Sequence, residues 1–306
     1  MLGQEMTSEE RMLVYTLLFT LADRAPKDNR YVEMFFIWLT YLCKNGGLTA
    51  TDKICVLIDQ ATVDYLNSDG CYSHVADGIA IPIDYIIIPT PATITDGIIC
   101  RYNFHNNSLL NETFMFLDLD VLVLRPLRVL IGSLEPNTLA CMPEGRMVNG
   151  LYGGCSLDEE IVDSCGFSAG IFAYCPGHGI RDFFNRVTAE CMAKAAEPYY
   201  TIDQPFFNKW IYKAIMKNAI DMRIQLIDDT NFINNVFEYD TNAVLMNYAG
   251  EPGNDSIHYK KMLSLLCIDF MRQREAPAPA AAQQHAGYPE AAQQREEAEN
   301  PPQETS

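Results

Sequence analysis

Two carboxylates interrupt an otherwise apolar run, Phe114-Met-Phe-Leu-Asp118-Leu-Asp120-Val-Leu-Val-Leu. A buried carboxylate without a partner is costly, so the run implies a cation or a donor at this point. In a regular strand, residues two apart share a face, and Asp118 and Asp120 could then meet one cation, especially if the strand ends there. Hard oxygen ligands suit Mg²⁺ or Mn²⁺, which usually keep coordination positions for phosphate oxygens. The plainer alternative is a pair of helix caps or a salt-bridged strand end.

The charge balance bears on the ligand. The chain of 306 residues carries 40 acidic and 22 basic side chains, a net charge of −18. That argues against a nucleic-acid partner, which calls for a basic face, and against polybasic docking on anionic lipid. An anionic ligand would need local neutralisation, and a metal ion is the simplest candidate. No GxGxxG or GxxxxGK[ST] string supports a dinucleotide or P-loop site.

The elements around the carboxylates read as α/β. Hydrophobic residues at 48% and charged residues at 20% are ordinary for a globular body. Leu13 to Phe19, Lys53 to Asp59, Tyr85 to Pro89 and Thr113 to Leu117 are short apolar runs without alternation, as expected for strands covered on both faces. Asp28 to Lys44 has helical apolar spacing, and Asp96 to His105 could be a second helix. This alternation implies βαβ units and a parallel sheet, whose ligands sit at the carboxyl ends of strands. Further on, Gly166 to Tyr174 reads as a strand. Arg181 to Lys194 and Asp203 to Lys217 read as helices, and Tyr152 to Gly166 as a loop. Asp203 could cap its helix, and Asp59 could either form a turn or reach a ligand.

The domain expected at 1–274 is followed by a different composition. Glu275 to Ser306 holds nine Ala, five Pro, five Gln and six Glu against one Arg, which predicts a disordered tail. The ten cysteines include no CxxC pair, so reduced thiols in a cytoplasmic setting are expected. No run approaches a membrane span, and Met12 to Leu21 lacks the flanks of a signal peptide.

With these motifs in order, the chain resembles the nucleotide-sugar glycosyltransferases of GT-A fold, most closely the glycogenin and bacterial galactosyltransferase branch. The likeness runs from about Leu13 to Lys261. It rests on the Asp118-Leu119-Asp120 motif preceded by a helix bearing Arg101, on Gly166-Phe-Ser-Ala-Gly-Ile-Phe-Ala-Tyr, on Asp203-Gln204 followed by Phe206-Phe207-Asn208, and on Ile257-His258-Tyr259. Ser168 stands where the family has Asn, and no Lys-Pro-Trp follows the histidine.

The resemblance implies a single Rossmann-like domain with a mostly parallel mixed sheet flanked by helices. It implies Mn²⁺ or Mg²⁺ held by Asp118, Asp120 and His258. Tyr15, Thr16, Arg101, Asp118, Ser168, Ala169, Gly170 and Lys261 would contact the donor, with Asp203 and Gln204 at the reacting centre. The implied activity is retaining transfer from a nucleoside-diphosphate sugar, a UDP-sugar first, to a glycan, protein or small-molecule acceptor. Two other readings stand beside it. One is a Mg²⁺-dependent phosphatase of haloacid-dehalogenase type, which also places DxD after an apolar strand. The other is a non-catalytic protein on a degenerate transferase fold.

Overall fold

The computed structural model describes residues 11–68, 81, 83–103, 112–146, 165–195, 203–227, 232–234, 243–248, 260–264 and 267. The tail expected from 275 and the loop expected over 152–164 lie outside these residues. The compact body is Met1–Leu266.

Its described strands are β1 (Met12–Leu18), β2 (Lys53–Asp59), β3 (Ile83–Ile88), β4 (Thr113–Leu117), β5 (Val121–Val123), β6 (Thr138–Arg146), β7 (Cys165–Cys175), β8 (Arg223–Leu226), β9 (Phe232–Asn234) and β10 (Leu245–Asn247). Seven form the main sheet in the order β3-β2-β1-β4-β7-β6-β8, and β5-β10-β9 form a small second sheet. In the main sheet β1 to β4 run parallel, and β7 runs antiparallel to both β4 and β6. The order reverses between β1 and β4: β2 and β3 build outward on one side of β1, and β4 lies on the other. Such a switch point opens a crevice at the carboxyl ends of the strands.

The helices are α1 (Arg30–Asn45), α2 (Gln60–Ser68), α3 (Ile94–Ile98), α4 (Cys100–Asn103), α5 (Arg128–Ile131), α6 (His178–Ala193) and α7 (Gln204–Lys217). Alternation along β1 sorts the core into two layers. Met12, Val14 and Leu18 face a cluster that includes Phe35, Trp38 and Leu42 of α1 and Leu122 and Leu245 of the small sheet. Leu13 and Tyr15 face an aromatic cluster with Phe116, Phe172 and Tyr174, covered by Phe183 and Phe184 of α6 and by Phe206 and Phe207 of α7. Both faces are buried, which is why these strands read as unbroken apolar runs.

Local chemistry sets several helix starts. Asn29 accepts from the Tyr31 N–H at the head of α1, and Thr93 with Asp96 forms a reciprocal capping box on α3. α6 has no cap of its own, and Asn137, arriving from the turn before β6, accepts from the Gly179 and Ile180 N–H groups instead. Asp59 takes the turn-forming role: it is buried and accepts from the N–H groups of Thr20 and Thr62 and from the Thr62 hydroxyl. The expected helix over Asp96 to His105 is in fact two short helices, α3 and α4, within the described residues. No described helix is long and apolar enough to cross a membrane.

Thr16 lies on the α1 face of β1, fully buried, and its hydroxyl has no hydrogen-bond partner among the described residues. A buried hydroxyl in that state is a liability of about 1 kcal/mol or more. Thr16→Val should therefore hold or raise the melting temperature and leave ligand binding unchanged. A fall in stability or in affinity measured by calorimetry would show that the hydroxyl has work to do.

Candidate active site

The paired carboxylates are presented by a turn at the end of β4, the case in which the sequence reading lets them share a ligand. β4 stops at Leu117. The Asp118 N–H still donates to the Gly170 carbonyl at 2.9 Å, the last rung of the β4–β7 ladder. Val121 N–H then donates back to the Asp118 carbonyl at 3.0 Å, closing a turn with Leu119 and Asp120 at its corners. The Asp120 carbonyl accepts from Tyr248 N–H at 2.8 Å, just beyond β10. Asp118 is thus pinned to the main sheet and Asp120 to the small one, with Leu119 buried between them.

Arg101 on α4 is a buried clamp rather than a surface cation. Its side chain is 6% exposed, and Nη1 lies 3.3 Å from Asp118 Oδ1 and 2.9 Å from the Ala169 carbonyl. Nε reaches the Ile98 carbonyl at 3.3 Å and Asp203 at 3.5 Å. The guanidinium also lies over the Phe116 ring, 4.9 Å from its centroid. Burial would favour the neutral form, but Asp118 and Asp203 outweigh it and hold the group charged.

The stretch Ser168-Ala169-Gly170 sits in a bulge of β7. Cys141 pairs with Phe172 and Pro143 with Phe167, so β7 carries extra residues between these partners. The bulge leaves the Ala169 carbonyl free for Arg101, while the Gly170 carbonyl keeps its place in the β4–β7 ladder with Asp118. It also explains the glycine: a Cβ on Gly170 would overlap the Asp118 carboxylate, so the missing side chain accommodates Asp118. Ser168 spends its hydroxyl locally, accepting from Gly170 N–H at 3.2 Å.

Asp203 and Gln204 open α7 beside this bulge. The Asp203 carbonyl takes the Phe206 and Phe207 N–H groups, but its side chain makes no capping hydrogen bond. Asp203 stands at the N-cap position, but of the roles open to its side chain the cap is not the one seen. The carboxylate, 8% exposed, instead accepts from the Tyr102 hydroxyl at 2.5 Å and faces Arg101. Gln204 accepts from Ala169 N–H through Oε1 at 3.3 Å and donates through Nε2 to Glu144 of β6 at 2.8 Å. One turn along, buried Asn208 acts as a strand mimic. It accepts from Phe167 N–H at 2.7 Å and donates to the Phe167 carbonyl at 2.8 Å, stitching α7 to β7.

Glu144 and Tyr102 are the site residues that sequence reasoning missed. Glu144 follows a proline in a bulged strand, without periodicity to mark it. Tyr102 had one signal, its place directly after Arg101 on the helix already singled out.

The remaining expected residues scatter. Tyr15 lies beneath the site, fully buried, its hydroxyl donating to the Arg101 carbonyl at 3.1 Å. Thr16 points to the opposite face of the sheet. Lys261 stands partly exposed in a helical turn at 260–264. His258 lies outside the described residues. Among the described residues, no group of three or more His, Cys, Asp or Glu is placed to hold a metal ion. Cys55, Cys141 and Cys191 are buried thiols without disulfides.

The electrostatics leave an excess of negative charge. Burial raises the Asp118 pKa, Arg101 pulls it down, and Asp120 and Asp203 push it up again. Its side chain keeps 36% of its surface exposed, so that desolvation is partial. Asp120 is raised by burial first and by Glu144 among its neighbours, with Arg101 opposing. Arg101 is the cation that both carboxyl groups feel, and hard oxygen donors gathered in this way fit a divalent cation.

No protein-family model matches the chain, and no curated protein sequence does. Among solved structures it is similar to the apo structure of WbbM, described as a bifunctional glycosyltransferase, with a TM-score of 0.55 and 15% identity over 84% of this chain and 50% of that one. The chain therefore spans about half the length of that neighbour. The likeness establishes the fold: a Rossmann-like glycosyltransferase fold with a mostly parallel sheet flanked by helices, as the sequence resemblance implied.

Two outcomes follow from this geometry. Gly170→Ala should displace the Asp118 carboxylate and weaken Mn²⁺ binding by isothermal calorimetry, with little change in secondary structure by circular dichroism. For the second, folding raises both carboxylate pKa values. Their favourable contribution is then present below about pH 4 and is lost as pH climbs toward neutral. The metal-free protein should melt higher near pH 5 than near pH 8 as far as this pair is concerned. Asp120→Asn should narrow that difference and raise the neutral-pH melting temperature, and an unchanged pH profile would contradict the charge excess.

Proposed function

We propose that the chain is a metal-dependent glycosyltransferase that moves a sugar from a nucleoside-diphosphate sugar, a UDP-sugar first, to an acceptor hydroxyl. The carrying observation is the Asp118–Asp120 turn beside the buried Arg101–Asp203 pair, at the switch point between β1 and β4. Its position is where open α/β sheets bind ligands. The fold shared with a glycosyltransferase supports the same reading.

In this reading Asp118 and Asp120 would hold Mn²⁺ or Mg²⁺, with His258 as the third ligand that the family resemblance implies. His258 follows Tyr248, whose N–H is bonded to Asp120, by ten residues, so the late segment starts out from the turn itself. When bound, the cation would neutralise the diphosphate and stabilise its charge as it leaves.

The chain's own residues supply the rest. Arg101 fixes the Asp118 and Asp203 carboxylates relative to each other. Asp203 orients sugar hydroxyls, Gln204 stands at the reacting carbon, the bulge at 168–170 lines the sugar, and Lys261 meets the diphosphate. The bond between the sugar carbon and the diphosphate oxygen breaks, and its electron pair stays on that oxygen. The acceptor oxygen bonds to the carbon, and its proton passes to the released diphosphate or to solvent. Retention of configuration comes from the resemblance to the glycogenin and bacterial galactosyltransferase branch. A cytoplasmic setting belongs to the same proposal, supported by the buried free thiols.

The test is a donor panel, nucleotide-sugar hydrolysis and transfer with Mn²⁺, with Mg²⁺ and with excess chelator. Activity should appear with a metal, vanish on chelation and fall about 100-fold or more in Asp120→Ala. Full activity in chelator sinks the metal role. Turnover of an aryl phosphate through a trapped aspartyl-phosphate on Asp118 would replace the transferase with a phosphatase.

A further inference from the structure

We propose that Glu144 is a positioning residue that locks the carboxamide of Gln204 with its oxygen toward the sugar-lining bulge and makes that oxygen more negative. The inference rests on the transferase reading and adds a residue to it.

Two partners of opposite kind grip Gln204. Glu144 Oε2 can only accept, and it takes the Nε2 proton at 2.8 Å. Ala169 N–H can only donate, and it reaches Oε1 at 3.3 Å. The oxygen and nitrogen of an amide are otherwise interchangeable in shape, so these partners decide which end faces which way. Reversal would set an N–H against an N–H and an oxygen against a carboxylate. The base of the side chain is fixed as well, because Asn208 bonds both backbone groups of Phe167 and the Gln204 carbonyl.

The carboxylate does more than aim. An N–H donating to an anion forms a charge-assisted bond, and the amide polarises so that its oxygen gains negative charge. Among the described residues Oε1 is held on its other side by the longer bond to Ala169. A sugar carbon that is losing its diphosphate gains positive charge, and an electron-rich oxygen beside it lowers the barrier.

The test uses the full chain in two arms. In the first, Gln204→Glu sets two carboxylates against each other and should lower the melting temperature. Adding Glu144→Gln then restores an amide-to-carboxylate pair with its polarity reversed and should recover most of that loss. Lack of recovery overturns the contact. In the second, Glu144→Gln alone keeps the shape and removes the charge. With Mn²⁺ and the best donor of the panel, kcat for hydrolysis should fall about 10-fold or more, while the donor KM stays within about twofold. A variant as fast as the wild type overturns the role of Glu144 and leaves the transferase standing. A wild type inert toward every donor overturns the transferase, and with it the catalytic part of this proposal, while the melting arm still decides the contact.

Discussion

A buried guanidinium and the carboxylates around it require one another, and the site is built on that requirement. Moving Arg101 out of water carries a penalty of several kcal/mol, which only well-placed anions and acceptors offset. Asp118, Asp203, the Ala169 and Ile98 carbonyls and the Phe116 ring fill that need. These groups come from α3, the end of β4, the β7 bulge and the start of α7, and Arg101 itself from α4. One side chain therefore fixes the relative placement of five chain segments. The aromatic layer beneath makes the arrangement rigid: Tyr102 stacks on Phe172 and Phe207 while its hydroxyl holds Asp203.

The bulge in β7 follows from the same requirement. A regular strand would alternate its carbonyls between neighbours and commit the Ala169 carbonyl to the β6 side. Extra residues between the Phe167 and Phe172 pairings free the Ala169 carbonyl for Arg101, and Gly170 leaves the volume for Asp118. The small residues that suggest an intimate ligand contact thus have a first explanation inside the protein. Asn208 repairs what the bulge takes from the ladder by bonding both backbone groups of Phe167.

Much of this was legible in the residues because it depends on local pattern. Lys53–Asp59 and Thr113–Leu117 are strands with the expected limits, since both are apolar runs ended by a charged residue. Asp203 and Pro205 marked the head of α7 correctly. The bulge was not legible, because Gly166 to Tyr174 has the composition of a regular strand and the shift appears only against β6. The small sheet was missed because β5, β9 and β10 have three residues each, too few for a period. The side-chain partners of Asp203 were not legible for a different reason. Local rules favour an N-terminal cap, and a buried Arg101 and Tyr102 offered the carboxylate a stronger partnership than the helix could.

The spacing of the two carboxylates has a cause in the turn. In a strand, one intervening residue would put both on a common face. Here Leu119 is the apolar anchor of a turn whose entry is bonded to the main sheet and whose exit is bonded to the small one. Lengthening or shortening the link would break one of these attachments before it moved a carboxylate into any new useful place. The two sheets are therefore coupled through the same three-residue link that carries both carboxylates. The backbone positions of Asp118 and Asp120 are thus set by hydrogen bonds to two different sheets, so the two side chains start from points already fixed before any ligand arrives.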